Sequence, residues 1–195
     1  MGPIDIYLLD QVMKDRLVPG MSLLDAGCGG GRNLVYFLRN GFQVFGVDEH
    51  PEAVGQARQL AAQLAPDLPS SNFQVSDVAE IAFPDESFDA VVCSAVLHFA
   101  RDEAHFDRML DAMWRVLKPG GLFFARLAST IGLEGRVTPI RGRWYHLPDG
   151  SDRFLVDDAM LTRAAGRLGA RWADPLKTTL VQNQRSMTTW VLWKT

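Results

Sequence analysis

Asp25-Ala26-Gly27-Cys28-Gly29-Gly30-Gly31, preceded by Ser22-Leu23-Leu24 and followed by Arg32-Asn33-Leu34, is the stretch on which the reading of the fold turns. A short apolar run that ends in a glycine cluster and passes straight into a helical pattern is the opening turn of a β-α unit. Glycines serve there because the backbone takes dihedrals that a Cβ forbids and comes close to a ligand. Two classes of site use such a loop. A dinucleotide site wants G-x-G-x-x-G with pyrophosphate on the helix N-terminus. Counted from Gly27, its third glycine falls on Arg32, so that pattern is incomplete, whereas D-x-G-x-G-x-G fits residues 25 to 31 in full. The acid ahead of the glycines suits a cationic ligand and repels a pyrophosphate.

Outward from this loop, short apolar runs alternate with helical spacing, as in βαβ units around a parallel sheet. Ile4 to Leu17 reads as a leading helix stopped by Pro19-Gly20, and Ser22 to Ala26 as the first strand. Arg32 to Asn40 follows as a helix with Leu34, Phe37 and Leu38 on one face and Gly41 as its C-terminal cap. The second unit repeats the scheme with a strand from Phe42 to Val47, Asp48 at its end, and an Ala-rich helix from Pro51 to about Leu64. Beyond the turn-rich Pro66 to Ser71 come strands Asn72 to Val75 and Phe88 to Cys93, the latter introduced by Pro84-Asp85-Glu86-Ser87. Glu103 to Leu117 is a helix with Phe106, Leu110, Met113, Trp114 and Leu117 on its apolar side. Lys118-Pro119-Gly120-Gly121 is expected to end it before a strand from Leu122 to Leu127.

From Ser129 to Arg153 glycines and prolines break every period, which predicts an irregular substrate loop or cover. A last helix to about Leu168, capped by Asp157 or Asp158, and strands Arg171 to Ala173 and Thr188 to Lys194 complete the expected chain. The fold class is therefore a doubly wound α/β sheet in three αβα layers. At 195 residues with 47% hydrophobic content, residues 1–195 read as one domain.

The charge balance, 20 Lys+Arg against 23 Asp+Glu, provides no global field to gather DNA or RNA. No apolar run approaches the roughly 20 residues of a membrane span, and Met1 to Leu17 lacks the apolar core of a signal peptide. Cys28 and Cys93 belong to no CxxC or Cys/His metal spacing, so no metal site is expected and a cytoplasmic setting is the default. Oligomeric state has no signature in the sequence.

Two more acids follow strand ends. Asp48 lies 23 residues beyond Asp25, where a carboxylate can accept both hydroxyls of a ribose lying across the sheet; it also suits a helix cap before Pro51. Asp77 can accept from an adenine amino group while the Val78 amide donates to the ring, although Asp is also a common turn former. Three acids at three successive strand ends argue for a nucleoside site.

These segments resemble the class I S-adenosylmethionine (SAM)-dependent methyltransferases over about residues 20 to 127. Leu23 to Gly31 is similar to their first motif, Val47-Asp48 to the second and Ser76-Asp77-Val78 to the adenine loop. Phe88-Asp89-Ala90-Val91-Val92 and Arg115 to Gly121 resemble the fourth strand and the turn before the fifth. The Gly-Gly-Arg-Asn helix start and the compact length look similar to small tellurite-resistance-type and ubiquinone-biosynthesis-type members. The resemblance implies a Rossmann-like seven-stranded sheet with the last strand antiparallel, and SAM as cofactor with S-adenosylhomocysteine as product. It implies cofactor contacts at Asp25, Gly27, Cys28, Gly29, Asp48, Glu49, Asp77 and Val78, and at the backbone around Ser94. Asp25 would then accept from the ammonium of the methionine part.

The implied activity is methyl transfer to a small-molecule acceptor. N-P-P-[YF] and Pro-Cys segments after the fourth strand, which amino-group and cytosine-C5 methylation would show, are absent. A sulfonium donor needs mainly alignment and exclusion of water, and a base matters only for an acceptor that must lose a proton. His98 sits where the acceptor approaches, and Tyr145 and His146 are further pocket candidates; a packed or capping histidine is the competing reading. Arg141 and Arg143, beside Trp144 and Tyr145, have the chemistry to clamp an anionic acceptor, or belong to a solvated loop. A non-catalytic SAM-binding module and an NAD(P)-dependent reductase are the alternative functions.

Overall fold

The computed structural model describes residues 3–195. In chain order the elements are α1 (Ile6–Met13), β1 (Ser22–Ala26), α2 (Leu34–Arg39), β2 (Gln43–Asp48), α3 (Pro51–Leu64), β3 (Phe73–Val75), β4 (Phe88–Ser94), α4 (Glu103–Val116) and β5 (Leu117–Ala128). Then follow β6 (Thr138–Arg141), β7 (Trp144–His146), β8 (Asp152–Phe154), α5 (Asp158–Arg167), β9 (Arg171–Trp172), β10 (Lys177–Val181) and β11 (Arg185–Trp193). The main sheet has the order β10-β11-β5-β4-β1-β2-β3. β1 to β5 run parallel, and β11 is antiparallel to both β5 and β10. The short β9 adds an eighth strand against the end of β11. No described helix is long and apolar enough to cross a membrane.

Side-chain alternation along the strands builds two cores, one on each face of the sheet. Phe123 of β5 joins Phe106, Met113, Leu161 and Trp190 under α4 and α5. Its neighbour Phe124 points the other way and joins Leu8, Phe37, Val54 and Val44 under α1, α2 and α3. Each fully buried Leu or Phe contributes about 1.5–3 kcal/mol. The helices are started by side-chain caps where the sequence offers them. Asp102 accepts from the His105 amide at 2.7 Å, and Asp157 from the Met160 amide at 2.7 Å.

Several expectations change. The leading helix is shorter than Ile4 to Leu17, because Asp5 caps it and Asp15 takes a φ of 55° just beyond its end. α2 begins at Leu34, since Gly31 to Asn33 are spent in a turn. Lys118-Pro119-Gly120-Gly121 lies inside β5 as a bulge, with Gly120 at φ 75° and its amide on the Lys194 carbonyl. The stretch Ser129 to Arg153 is irregular only in part: between its turns β6, β7 and β8 form a small antiparallel sheet. Its strands are three or four residues long and β6 is exposed throughout, so they leave no hydrophobic period to read. β10, an exposed edge strand, escaped for the same reason.

Candidate functional site

The strand order reverses at β1, which lies between β2 and β4, and in open α/β sheets the crevice above such a reversal is where ligands sit. The glycine loop leaves β1 at this point. The amides of Gly27 and Cys28 donate to the Val47 carbonyl at 2.8 and 2.9 Å, fastening the loop to β2. Gly27 has φ 82°, and a Cβ there would stand 2.2 Å from Val96 Cγ2, so only glycine fits. Val96 reaches that position because Ala95 takes φ 65° and donates its amide to the Arg126 carbonyl at 2.7 Å. A non-glycine residue held in that region costs on the order of 1–3 kcal/mol and clusters at functional sites.

A cavity of about 410 Å³ opens over the strand ends. Six of the nine residues expected to hold a cofactor line it: Gly27, Asp48, Glu49, Asp77, Val78 and Ser94. Asp48 Oδ2 accepts from the Gly29 amide at 2.9 Å, and Oδ1 from the His50 amide at 3.0 Å. Asp77 Oδ1 accepts from the Ala79 amide at 2.8 Å. Asp25, at the end of β1 and outside the cavity lining, is buried, and its Oδ1, like Ser94 Oγ, has no hydrogen-bond partner among the described residues. Burial pushes the Asp25 carboxyl up to about 8, with Arg32 opposing and Asp48 assisting. Cys28 does not line the cavity: its Sγ packs where a Cβ on Gly46 would be 2.9 Å away. Burial, then Asp25 and Asp48, hold that thiol far above its ordinary range.

A family model described as a methyltransferase domain matches residues 24–125, more than half of the chain. The chain belongs to this methyltransferase-domain family. An uncharacterized methyltransferase of Synechocystis sp. is 33% identical over 105 residues, covering 54% of this chain and 46% of that protein. A ubiquinone biosynthesis O-methyltransferase of Brucella anthropi is 31% identical over 166 residues, 82% of this chain and 64% of that one. The chain thus spans less than two thirds of the length of these relatives. A solved structure described as a SAM-dependent methyltransferase of Methanosarcina mazei superposes with a TM-score of 0.74 at 22% identity, covering 94% of this chain and 96% of that one.

In this methyltransferase-domain protein the remaining expected residues stand away from the cavity wall. His98 is buried beside it; its Nδ1 accepts from the Ala128 amide at 3.3 Å, which puts the ring proton on Nε2. Burial, then the neighbouring Arg153, bring its pKa down to about 4, so the ring is neutral near pH 7. Tyr145, His146, Arg141 and Arg143 belong to the β6–β8 sheet and do not line the cavity. Arg143 is committed to Asp157 at 2.9 Å and Glu103 at 3.2 Å, and His146 to Asp152 at 2.7 Å. This is the segment expected to be a substrate loop or cover; its Arg143 ties it to the starts of α4 and α5.

The cavity recruits residues that sequence reasoning passed over: His50 after β2, Phe99 and Arg101 between β4 and α4, and His105 in the first turn of α4. The connection after a parallel strand at the reversal point opens into the crevice, and that rule could have nominated Phe99 and Arg101.

Proposed function

We propose that the chain binds SAM in the 410 Å³ cavity and transfers its methyl group to a small-molecule acceptor. The observation that carries this reading is the meeting of Asp48, Asp77 and Gly27 in the lining of one cavity, with the buried, unpartnered Asp25 oxygen two residues before Gly27. A sulfonium cofactor held there would supply an electrophilic methyl carbon for an acceptor lone pair, with the electrons of the carbon–sulfur bond left on sulfur. The residues fit such a group. Asp48 retains acceptor capacity for ribose hydroxyls. Asp25 and Ser94 offer oxygens to an ammonium, and the ammonium's charge would bring Asp25 back to its ionised form. Val96 and the glycine loop exclude water from the strand ends.

The acceptor enters in this reading past Phe99, which is 53% exposed at the cavity wall. Arg153 lies over the Phe99 ring at 5.1 Å, and Arg101 also lines the wall. Those two cations, rather than Arg141 and Arg143, support an anionic acceptor. The names of relatives, among them an O-methyltransferase of ubiquinone biosynthesis, support a small molecule.

Calorimetry with SAM and S-adenosylhomocysteine, followed by turnover with a panel of anionic acceptors and their neutral isosteres, tests the reading. Asp48→Ala should weaken S-adenosylhomocysteine at least tenfold. Unchanged affinity in that variant would overturn the assignment of the cavity, and binding without turnover on any acceptor would point to a non-catalytic SAM-binding module.

A further inference from the structure

One group on the cavity wall has no role in the scheme above. His105, the third residue of α4, keeps only 8% of its side chain exposed. Its Nδ1 accepts from the Arg101 amide at 3.1 Å, so the neutral ring carries its proton on Nε2. That N–H is shielded from solvent and has no hydrogen-bond partner among the described residues. The neighbouring Asp77 Oδ2 is 3.7 Å away, beyond hydrogen-bond reach. A buried donor left unpaired is costly, and native structures keep few of them. A ligand atom that accepts a hydrogen bond would remove the cost.

The surroundings say which kind. Asp77 Oδ1 is taken by the Ala79 amide, which leaves Oδ2 as a free acceptor beside the His105 donor. The Val78 amide, at the first position of the one-turn helix Val78–Glu80, is a second donor adjacent to the same carboxylate. Two donors around one acceptor complement a 6-aminopurine, whose exocyclic amine is flanked by the ring nitrogens N1 and N7. A purine with an oxo group at position 6 would set its oxygen against the Asp77 carboxylate.

We propose that His105 is a specificity-determining residue for the base: its Nε2–H takes one ring nitrogen beside the amine, Asp77 takes the amine, and the Val78 amide takes the other nitrogen. Arg101, whose guanidinium lies 3.9 Å from Asp77 Oδ2 at the exposed rim, adds charge without competing for the ring. The inference rests on the proposed cofactor.

The test compares S-adenosylhomocysteine with its 1-deaza and 7-deaza analogues by calorimetry. Wild type should lose about tenfold on each analogue, since each leaves one buried donor unpaired. In His105→Leu one of the two penalties should vanish while the other remains, and His105→Gln, which keeps an N–H, should restore part of it. Both penalties surviving in His105→Leu, or all three ligands weakening by one factor, would reduce the ring to packing and overturn the proposal. If His105→Leu fails to fold, proton NMR of wild type decides. The His105 Nε2–H resonance should appear with S-adenosylhomocysteine and be lost with one analogue only; a resonance indifferent to both would also overturn it. Failure of wild type to bind S-adenosylhomocysteine itself would remove the cofactor reading first, before any analogue is compared.

Discussion

Asp25 is a carboxylic acid placed where a carboxylate is hard to keep. Burial pushes it up to about 8 from an ordinary 3.8, and its Oδ1 has no partner among the described residues. The folded chain therefore holds a proton that the unfolded chain releases above about pH 4. Between about pH 4 and pH 8 each rise in pH favours the unfolded state, and the penalty is complete once the folded pKa is passed. Asp25→Asn has no proton to lose. Its stability should match wild type near pH 4 and exceed it by a few kcal/mol at pH 8, read from urea midpoints across that range. A margin that does not change with pH would show that the carboxyl is not titrating there. The same variant should bind S-adenosylhomocysteine less tightly, because stability gained at a site shaped for a ligand comes at the expense of function.

Among the elements, the β6–β8 sheet has the least obvious purpose, and its attachments supply one. Trp144 Nε1 donates to the carbonyls of Ala100 and Arg101, both at 3.0 Å, and Arg143 bridges to Glu103 and Asp157. The small sheet thus braces the connection that carries Phe99 and Arg101 to the cavity. Trp144→Phe keeps the packing and removes the donor, so global stability should fall by only about 1–2 kcal/mol. Amide exchange should nevertheless quicken over residues 99–103. Faster exchange confined to the small sheet itself would refute the bracing role. This element also marks where the sequence stops being readable. β1 and β4 are nearly continuous apolar runs because both faces are covered, and α3 carries its own proline start, so all three were legible. β6 and β10 meet solvent and leave no period. Acids at strand ends could be found by position along the chain. His105 could not, because its role depends on a hydrogen bond to Arg101 and on an approach to Asp77 from a distant segment.

At the scale of the whole molecule, one face of the sheet is closed at its ligand edge by the N-terminal helix. Ser94, Arg126 and Thr189 stand in register on β4, β5 and β11, and each carries a buried polar atom without a partner among the described residues. α1 covers this row. Asp5, with 1% of its side chain exposed, pairs with Arg126 at 2.8 Å, and the Arg126 guanidinium lies 5.3 Å from the centre of the Tyr7 ring. Tyr7 reaches on to Thr179 of β10 at 2.6 Å, while the Asp5 amide donates to Asn33 behind the glycine loop. One short helix therefore joins the glycine loop, through the Asp5 amide, to the far edge of the sheet, through the Tyr7 hydroxyl, with the Asp5 carboxylate anchoring it on Arg126 between them. Asp5→Ala would leave Arg126 without its counter-charge and α1 without its cap. Breaking a buried pair from one side costs about 3–5 kcal/mol; Arg126 is 22% exposed, so about 2–3 kcal/mol is expected. Asp5→Asn keeps a capping oxygen and loses the charge, and should fall between wild type and Asp5→Ala in urea unfolding. If both variants cost under about 0.5 kcal/mol, a surface-like effect, the edge is held by the packing of Leu8 in the core, and the ion pair is incidental to it.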